Sequence, residues 1–151
     1  MRNINLRYVD EEYDDNGVIT KYKLKYPENY NFGYDVVDDI ASNEPDRLAM
    51  VWCNPKGVEK RFTFGDISRL SNKAANYFKS IGIKKGDAVL VILKRHYQFW
   101  YVSVALHKIG AIMVPATFML TKRDIEYRVQ SASIKAAICT DEGGVCDSID
   151  A

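Results

Sequence analysis

The stretch Val89–Pro115, VLVILKRHYQFWYVSVALHKIGAIMVP, decides the fold, because it reads as strand, helix, strand. Val89–Leu93 is a continuous apolar run of the kind expected for a strand buried on both faces. Tyr97, Trp100, Tyr101, Val104, Ala105 and Lys108 then recur at three- and four-residue intervals, the spacing of one helical face. Gly110 suits the position just past that helix, and Ala111–Pro115 is a second apolar run closed by a proline. Two strands joined by a crossover helix lie parallel, and such units are right-handed. The expected fold is α/β: a partial parallel sheet with crossover helices (βαβαβ), preceded by a β-hairpin and an N-terminal arm.

Downstream of this unit, Thr121 and Asp124 have the spacing of a capping box, and Ile125, Arg128, Val129 and Ala132 support a helix of about three turns. Ala136–Thr140 reads as a third buried strand, followed by Asp141-Glu142-Gly143-Gly144. Val145–Ala151 begins another helix, and its stopping there reads as a cut within a larger protein. Upstream, Thr63 and Asp66 form a second capping box. Behind it Phe64, Ile67, Leu70, Ser71, Ala74, Ala75, Phe78 and Ile81 share one helical face, and Gly82 is the stop. Leu48–Cys53 and Val58–Phe64 flank Asn54-Pro55-Lys56-Gly57 as a hairpin. Asp35 is placed to cap a short helix carrying Val36, Val37, Ile40 and Ala41. Residues 1–27 are polar, with a weak strand signal over Val18–Lys25. They read either as an arm laid over another surface or as a disordered leader, and residues 28–151 form the domain proper.

The bulk numbers exclude several classes. With 151 residues, 47% hydrophobic and 27% charged, the chain has the make-up of one globular domain with its own core. A net charge of +1 offers no electrostatic case for nucleic acid or an anionic membrane. No apolar run approaches the roughly 20 residues that cross a bilayer, and the N-terminus lacks the apolar core of a secretory signal. The three cysteines, Cys53, Cys139 and Cys146, contain no C-x-x-C pair, which points to thiols in a reducing compartment, the cytoplasm.

Few residues invite chemistry on spacing alone. His107 reads as a surface or packing residue of the central helix. His96 follows Lys94 and Arg95 at the C-terminal end of a strand, where open parallel sheets bind ligands, although a basic loop in water is the plainer reading. Gly143-Gly144 lacks the spacing of a phosphate-binding loop and reads as a turn. Asp141 and Glu142 are adjacent and point apart, so they make no acid/base pair. The aromatic cluster Tyr97, Phe99, Trp100, Tyr101 has no basic stripe beside it and belongs to the core and a helix face rather than to a base-stacking platform.

Asn31–Asp38 (NFGYDVVD), Arg61–Asn76 (RFTFGDISRLSNKAAN), Gly82–Leu93 (GIKKGDAVLVIL), Lys108–Thr117 (KIGAIMVPAT) and Leu120–Arg128 (LTKRDIEYR) together resemble the amino-terminal part of adenylate-forming enzymes. More narrowly, they resemble the acetyl-CoA and medium-chain acyl-CoA synthetase branch. The resemblance implies a parent ligase that activates a small carboxylic acid with Mg-ATP to an acyl-adenylate and passes the acyl group to coenzyme A. The phosphate loop, the nucleotide motifs and the catalytic lysine of that family have no counterpart in this sequence. No catalytic, ATP-binding or metal-binding residue is therefore carried over, and the chain by itself is expected to be inactive.

The resemblance does imply that the loop Ala116–Leu120, through Thr117 and Met119, walls the coenzyme A channel. Relatives often carry a polar residue or glycine at the place of Met119, so no side-chain hydrogen bond is implied there. Packing of Phe118 and Met119 under a following domain is the alternative. Some relatives hold the coenzyme A nucleotide with arginines after the third strand, and residues 143–151 contain none. A sheet lacking its partner layer would leave an apolar patch open, so self-association is expected. Two other readings stand beside this one: a free-standing α/β binding module, and an adenylating relative that does not use coenzyme A.

Overall fold

In the computed structural model, residues 5–141 and 144–150 are described, the side chains of Asn5, Leu6 and Asp150 excepted. The chain divides into two compact units between Asn31 and Phe32. The first holds a single helical turn, α1 (Asn5–Tyr8), and an antiparallel hairpin of β1 (Val9–Tyr13) and β2 (Ile19–Leu24). Its turn is closed by Asp14, whose carboxylate accepts the N–H groups of Asn16 and Val18 at 2.9 Å each, with Gly17 at φ +78°. Cross-strand pairs Lys21–Glu12 and Lys25–Asp10 add to the ladder. The strand signal over residues 18–25 is thus real. Its partner VDEEY carries no apolar alternation because three of its five residues are charged, and its stability comes from pairing rather than burial.

In the second unit a π-helical turn over Gly33–Asp38 runs into α2 (Asp39–Asn43). The turn is entered from Phe32 with no side-chain cap, so Asp35 does not serve as one. The hairpin β3 (Leu48–Cys53) and β4 (Glu59–Thr63) follows, shorter than expected on its return because Phe64 already belongs to α3 (Phe64–Ser80). Both capping boxes form: Thr63 with Asp66 at the start of α3, and Thr121 with Asp124 at the start of α5 (Lys122–Ser131). Helix α3 ends where the Ile83 and Gly82 amides donate to the Phe78 and Lys79 carbonyls at 3.0 Å each. Helix α4 (Gln98–Ile109) closes in the same way, with Gly110 at φ +70°.

The sheet consists of β5 (Ala88–Ile92), β6 (Ile112–Pro115) and β7 (Ile134–Cys139), all parallel, in the order β6-β5-β7. Only β5 is buried throughout, because it alone has a strand on either side. Strands β6 and β7, expected to be buried, are edges, and Ile112 is 54% exposed. Val89, Val91 and Leu93 pack under α3 and α4 with Phe78, Ala105 and Leu106. Leu90 and Ile92 turn to the opposite face, where Ile125 of α5 and Val145 of α6 (Val145–Asp150) cover them. The strict alternation along β5 therefore serves two separate cores. A third cluster, Val37, Ile67 and Val104, lies against residues of the β3–β4 hairpin.

That third cluster explains why one stripe did not describe α4. The helix meets the sheet through Val102, Ala105 and Leu106 and an outer layer through Val104, so its buried arc is wider than one face. Trp100, read as core-facing, is 57% exposed. His107, two turns on, is exposed on the same side and meets Phe32 edge-on at 6.0 Å. Ile81 is exposed because α3 has already ended, and on α5 only Ile125 is buried, with Val129 and Ala132 facing out. The expected α/β arrangement of parallel sheet, crossover helices and preceding hairpin is present. No helix among the described residues is long and apolar enough to cross a membrane.

Candidate ligand crevice at the sheet switch point

From β5 the chain crosses through α4 to β6 on one side, and then through α5 to β7 on the other. Because α4 and α6 cover opposite faces, the segments leaving β5 and β7 diverge, and the crevice opened between their C-terminal ends is where doubly wound sheets bind ligands. A cleft of about 570 Å³ lies there. Its walls come from α3 (Tyr77, Phe78), α4 (Gln98, Tyr101), the β5–α4 loop (Leu93, His96), the end of β7 (Cys139, Thr140, Asp141) and α6 (Cys146).

The loop carrying His96 is held on both flanks. Lys94 takes φ +45°, a conformation that strains a residue with a side chain, and the His96 amide closes the turn onto the Leu93 carbonyl at 2.9 Å. The hairpin braces the turn from outside: Trp52 Nε1 donates to the Arg95 carbonyl at 2.7 Å. Tyr97 is enclosed by Trp52, Phe62 and Lys60, whose Nζ lies 4.5 Å from the ring centroid and 3.2 Å from the phenol oxygen. On the inner side His96 Nε2 meets Thr140 Oγ1 at 3.3 Å, and the Thr140 amide continues the β5–β7 ladder to the Ile92 carbonyl at 3.3 Å.

The crevice combines an apolar body with a few polar atoms, the composition of a small-molecule site. Gln98 Oε1 is buried and has no hydrogen-bond donor among the described residues, so it is an acceptor still open to one. Burial and the neighbouring Tyr97 phenol push the Tyr101 hydroxyl above its ordinary pKa, keeping it a neutral donor. Cys139 Sγ and Cys146 Sγ come within 3.1 Å, and the Cys146 thiol donates to the Thr140 carbonyl at 3.2 Å. His96 thus sits half-buried in the cleft, while Lys94 and Arg95 before it are exposed to water.

Thr117 and Met119 do not join this cleft. They lie beyond β6, at the other edge of the sheet, where the Thr117 hydroxyl accepts the Met119 amide at 3.3 Å and Met119 is 73% exposed. Phe118 between them carries Lys94 Nζ at 4.7 Å from its ring centroid. Of the acidic pair, Asp141 lines the cleft while Glu142 lies outside the described residues, as does Gly143 of the double glycine. Thr140, Gln98 and the cysteine pair had no sequence signal of their own. Only the strand order brings the ends of β5 and β7 together, and a β7 placed beside β6 would have separated His96 from Thr140.

Magnesium and ATP can be tested against these residues. Among the described residues no three His, Cys, Asp or Glu side chains converge to hold a metal ion. The sequence also offers no glycine-rich loop with lysine for phosphates. The residues present do not fit Mg-ATP, and no chemical step is derived through it.

Residues 37–150 match the family described as AMP-binding enzyme. The acyl-coenzyme A synthetase ACSM4, mitochondrial, of Rattus norvegicus is 36% identical over 135 residues, a match that takes in 85% of this chain and 23% of the relative. The chain therefore spans about a quarter of the length of the curated relatives it matches. Among solved structures, the N-terminal domain of FACL13 from Mycobacterium tuberculosis superposes with a TM-score of 0.70 at 25% identity, covering 81% of this chain and 30% of that one. The N-terminal subdomain of Klebsiella oxytoca NpsA gives 0.64 at 26% identity, covering 72% and 27%. The α/β unit is homologous to acyl-CoA synthetases, whose parent family is made of adenylate-forming ligases, and the chain belongs to the AMP-binding enzyme family.

Proposed function

We propose that this chain is the amino-terminal layer of an AMP-forming acyl-CoA synthetase, an acid–thiol ligase. That enzyme converts a small carboxylic acid, Mg-ATP and coenzyme A to an acyl-CoA, AMP and pyrophosphate. The observation that carries this reading is the family match over residues 37–150 together with the 36% identity to ACSM4. The segment 28–151 is the scaffold of the synthetase domain, and residues 1–27 are an arm before it. Its part is to set strand ends and loops around a cleft, with adenylation carried by residues outside this sequence. Thr117 and Met119 then form one wall of the coenzyme A channel, which suits an exposed loop with a hydroxyl and a thioether at its surface. The enzyme takes neither nucleic acid nor membrane as partner, in keeping with the net charge of +1. It resides in the cytoplasm, a compartment that suits three free thiols, although the relatives named above are mitochondrial by name. The isolated 151-residue chain self-associates through apolar side chains left exposed on β6 and α5, such as Ile112 and Tyr127.

The test is to tag the protein at its amino terminus, isolate it from its own cell, and assay carboxylate-dependent exchange of pyrophosphate into ATP with saturated acids of graded length. Exchange followed by formation of a coenzyme A thioester is the expected result, with none from residues 1–151 alone. Absence of exchange with every acid, or exchange by residues 1–151 alone, overturns the proposal. A second reading rests on the likeness to NpsA, which has been artificially fused into an adenylation–PCP di-domain. Exchange without thioester, but with acyl transfer to a carrier-protein thiol, would favour it.

A further inference from the structure

Two of the three cysteines meet in the crevice. Cys139 is the last residue of β7 and Cys146 the second of α6, and their sulfurs lie 3.1 Å apart. Both line the cleft, so a small oxidant can reach them, and both are partly rather than fully buried. The Cys146 thiol also donates to the carbonyl of Thr140, the residue whose hydroxyl meets His96. Cys53, by contrast, is exposed at the end of β3 and serves as an internal control.

We propose that Cys139 and Cys146 are a dithiol site of reversible oxidation, taking hydrogen peroxide as two-electron oxidant and closing to a disulfide at the rim of the crevice. One sulfur, as thiolate, attacks a peroxide oxygen; an S–O bond forms, the O–O bond breaks, and the departing hydroxide takes up the thiol proton as water. The second sulfur then attacks the sulfenic sulfur. The S–S bond forms, the S–O bond breaks, and hydroxide leaves with the second thiol proton as another water. Two thiols are oxidised and one peroxide is reduced to two waters. The disulfide ties the start of α6 to the end of β7 and removes the thiol donor from the Thr140 carbonyl. Oxidation therefore acts on the wall that His96 faces.

Residues 136–151 follow Lys135 and contain no lysine or arginine, so trypsin leaves both cysteines in one peptide that begins at Ala136. The full chain is treated with hydrogen peroxide, remaining thiols are blocked with iodoacetamide, and the digest is weighed by mass spectrometry. The expected peptide is lighter by two hydrogens and carries no alkyl group, with full reversal by dithiothreitol. The titratable thiols fall from three to one. Cys53→Ser leaves the peptide mass unchanged, and Cys146→Ser abolishes the intramolecular disulfide. Recovery of the peptide alkylated at both cysteines once Cys53 is oxidised overturns the proposal. So does oxidation of the two sulfurs separately to sulfinic or sulfonic acid, or a cross-link from either to Cys53. The wild-type peptide mass decides the matter even if Cys146→Ser fails to fold.

Discussion

Lys108 Nζ lies 2.7 Å from Asp38 Oδ1, joining α4 to the π-helical turn, while the lysine side chain is only 1% exposed. Asn72 Oδ1 of α3 accepts a second hydrogen bond from the same ammonium at 2.8 Å, and the Tyr34 ring stands 5.7 Å away. One cation thus fastens the π-helical turn and α3 to α4. Breaking a buried pair from one side leaves its partner charged and without its counter-ion.

Asp38→Ala is therefore expected to destabilise the fold by about 3 kcal/mol, near the lower end for buried pairs because Asp38 keeps some contact with water. Lys108→Met instead leaves Asp38 without its counter-ion, and because that carboxylate keeps some contact with water the change should cost less. Urea unfolding of the two variants checks the order, and equal losses would show that the pair is not what holds this layer.

Three carboxylates carry the pH dependence, two of them in the capping boxes. The Asp66 carboxyl is held below its ordinary pKa chiefly by the Thr63 amide it accepts, and then by Arg69. Asp124 is lowered by the Thr121 hydroxyl and amide, and Asp87 by Lys135 and the Lys84 amide. All three pKa values are lower in the folded than in the unfolded chain. Their contribution is present above the unfolded carboxylate pKa and is lost as pH falls through the folded values. Stability should hold from neutrality down to about pH 5 and decline below about pH 4. Asp66→Asn should flatten that decline, and Thr63→Ala should cost about 1 kcal/mol at pH 7. Thermal melts between pH 3 and pH 7 provide the comparison.

Trp52 is expected to act on the crevice from outside it. Trp52→Phe keeps an aromatic surface against Tyr97 but deletes the donor to the Arg95 carbonyl, a loss of about 1 kcal/mol. The change should appear as faster amide exchange at Arg95 and His96 and a shifted His96 ring resonance, with the β5 amides unaltered. Exchange that quickens equally along β5 would mean that the hairpin supports the whole sheet rather than the loop.

Gly82 and Gly110 end their helices alike, and an alanine at either would occupy a left-handed conformation at a cost of about 1–2 kcal/mol. An added Cβ at Gly82 meets nothing within 4 Å, whereas at Gly110 it would stand 2.9 Å from Lys85 Cγ. Because Lys85 is flexible, Gly110→Ala should exceed Gly82→Ala only slightly. The added Lys85→Ala substitution should remove the difference in chemical denaturation.

Much of this fold could be read from the chain because its signals are local. The Thr63 and Thr121 boxes, the glycine stops and the apolar run of β5 each declare themselves within a few residues. What could not be read depends on strand order. The pattern of β6 resembles that of a central strand, and nothing in it says that its outer neighbour is solvent. Trp100 has the spacing of a core residue, yet the core wraps past it because a second layer sits on α4. The crevice has the same origin. His96 and Thr140 are 44 residues apart, and their meeting follows from β7 docking beside β5.

That docking gives the molecule an order of assembly. Strands β5 and β6 are joined by one helix and can pair once α4 has formed, whereas β7 must wait for α5 and then close a longer loop to reach the free side of β5. On a ribosome the same sequence holds, since β7 emerges last of the three. The histidine–threonine contact of the crevice comes into being only at that step, and its pair of sulfurs waits in addition for α6. A chain that has folded everything else still lacks this cleft.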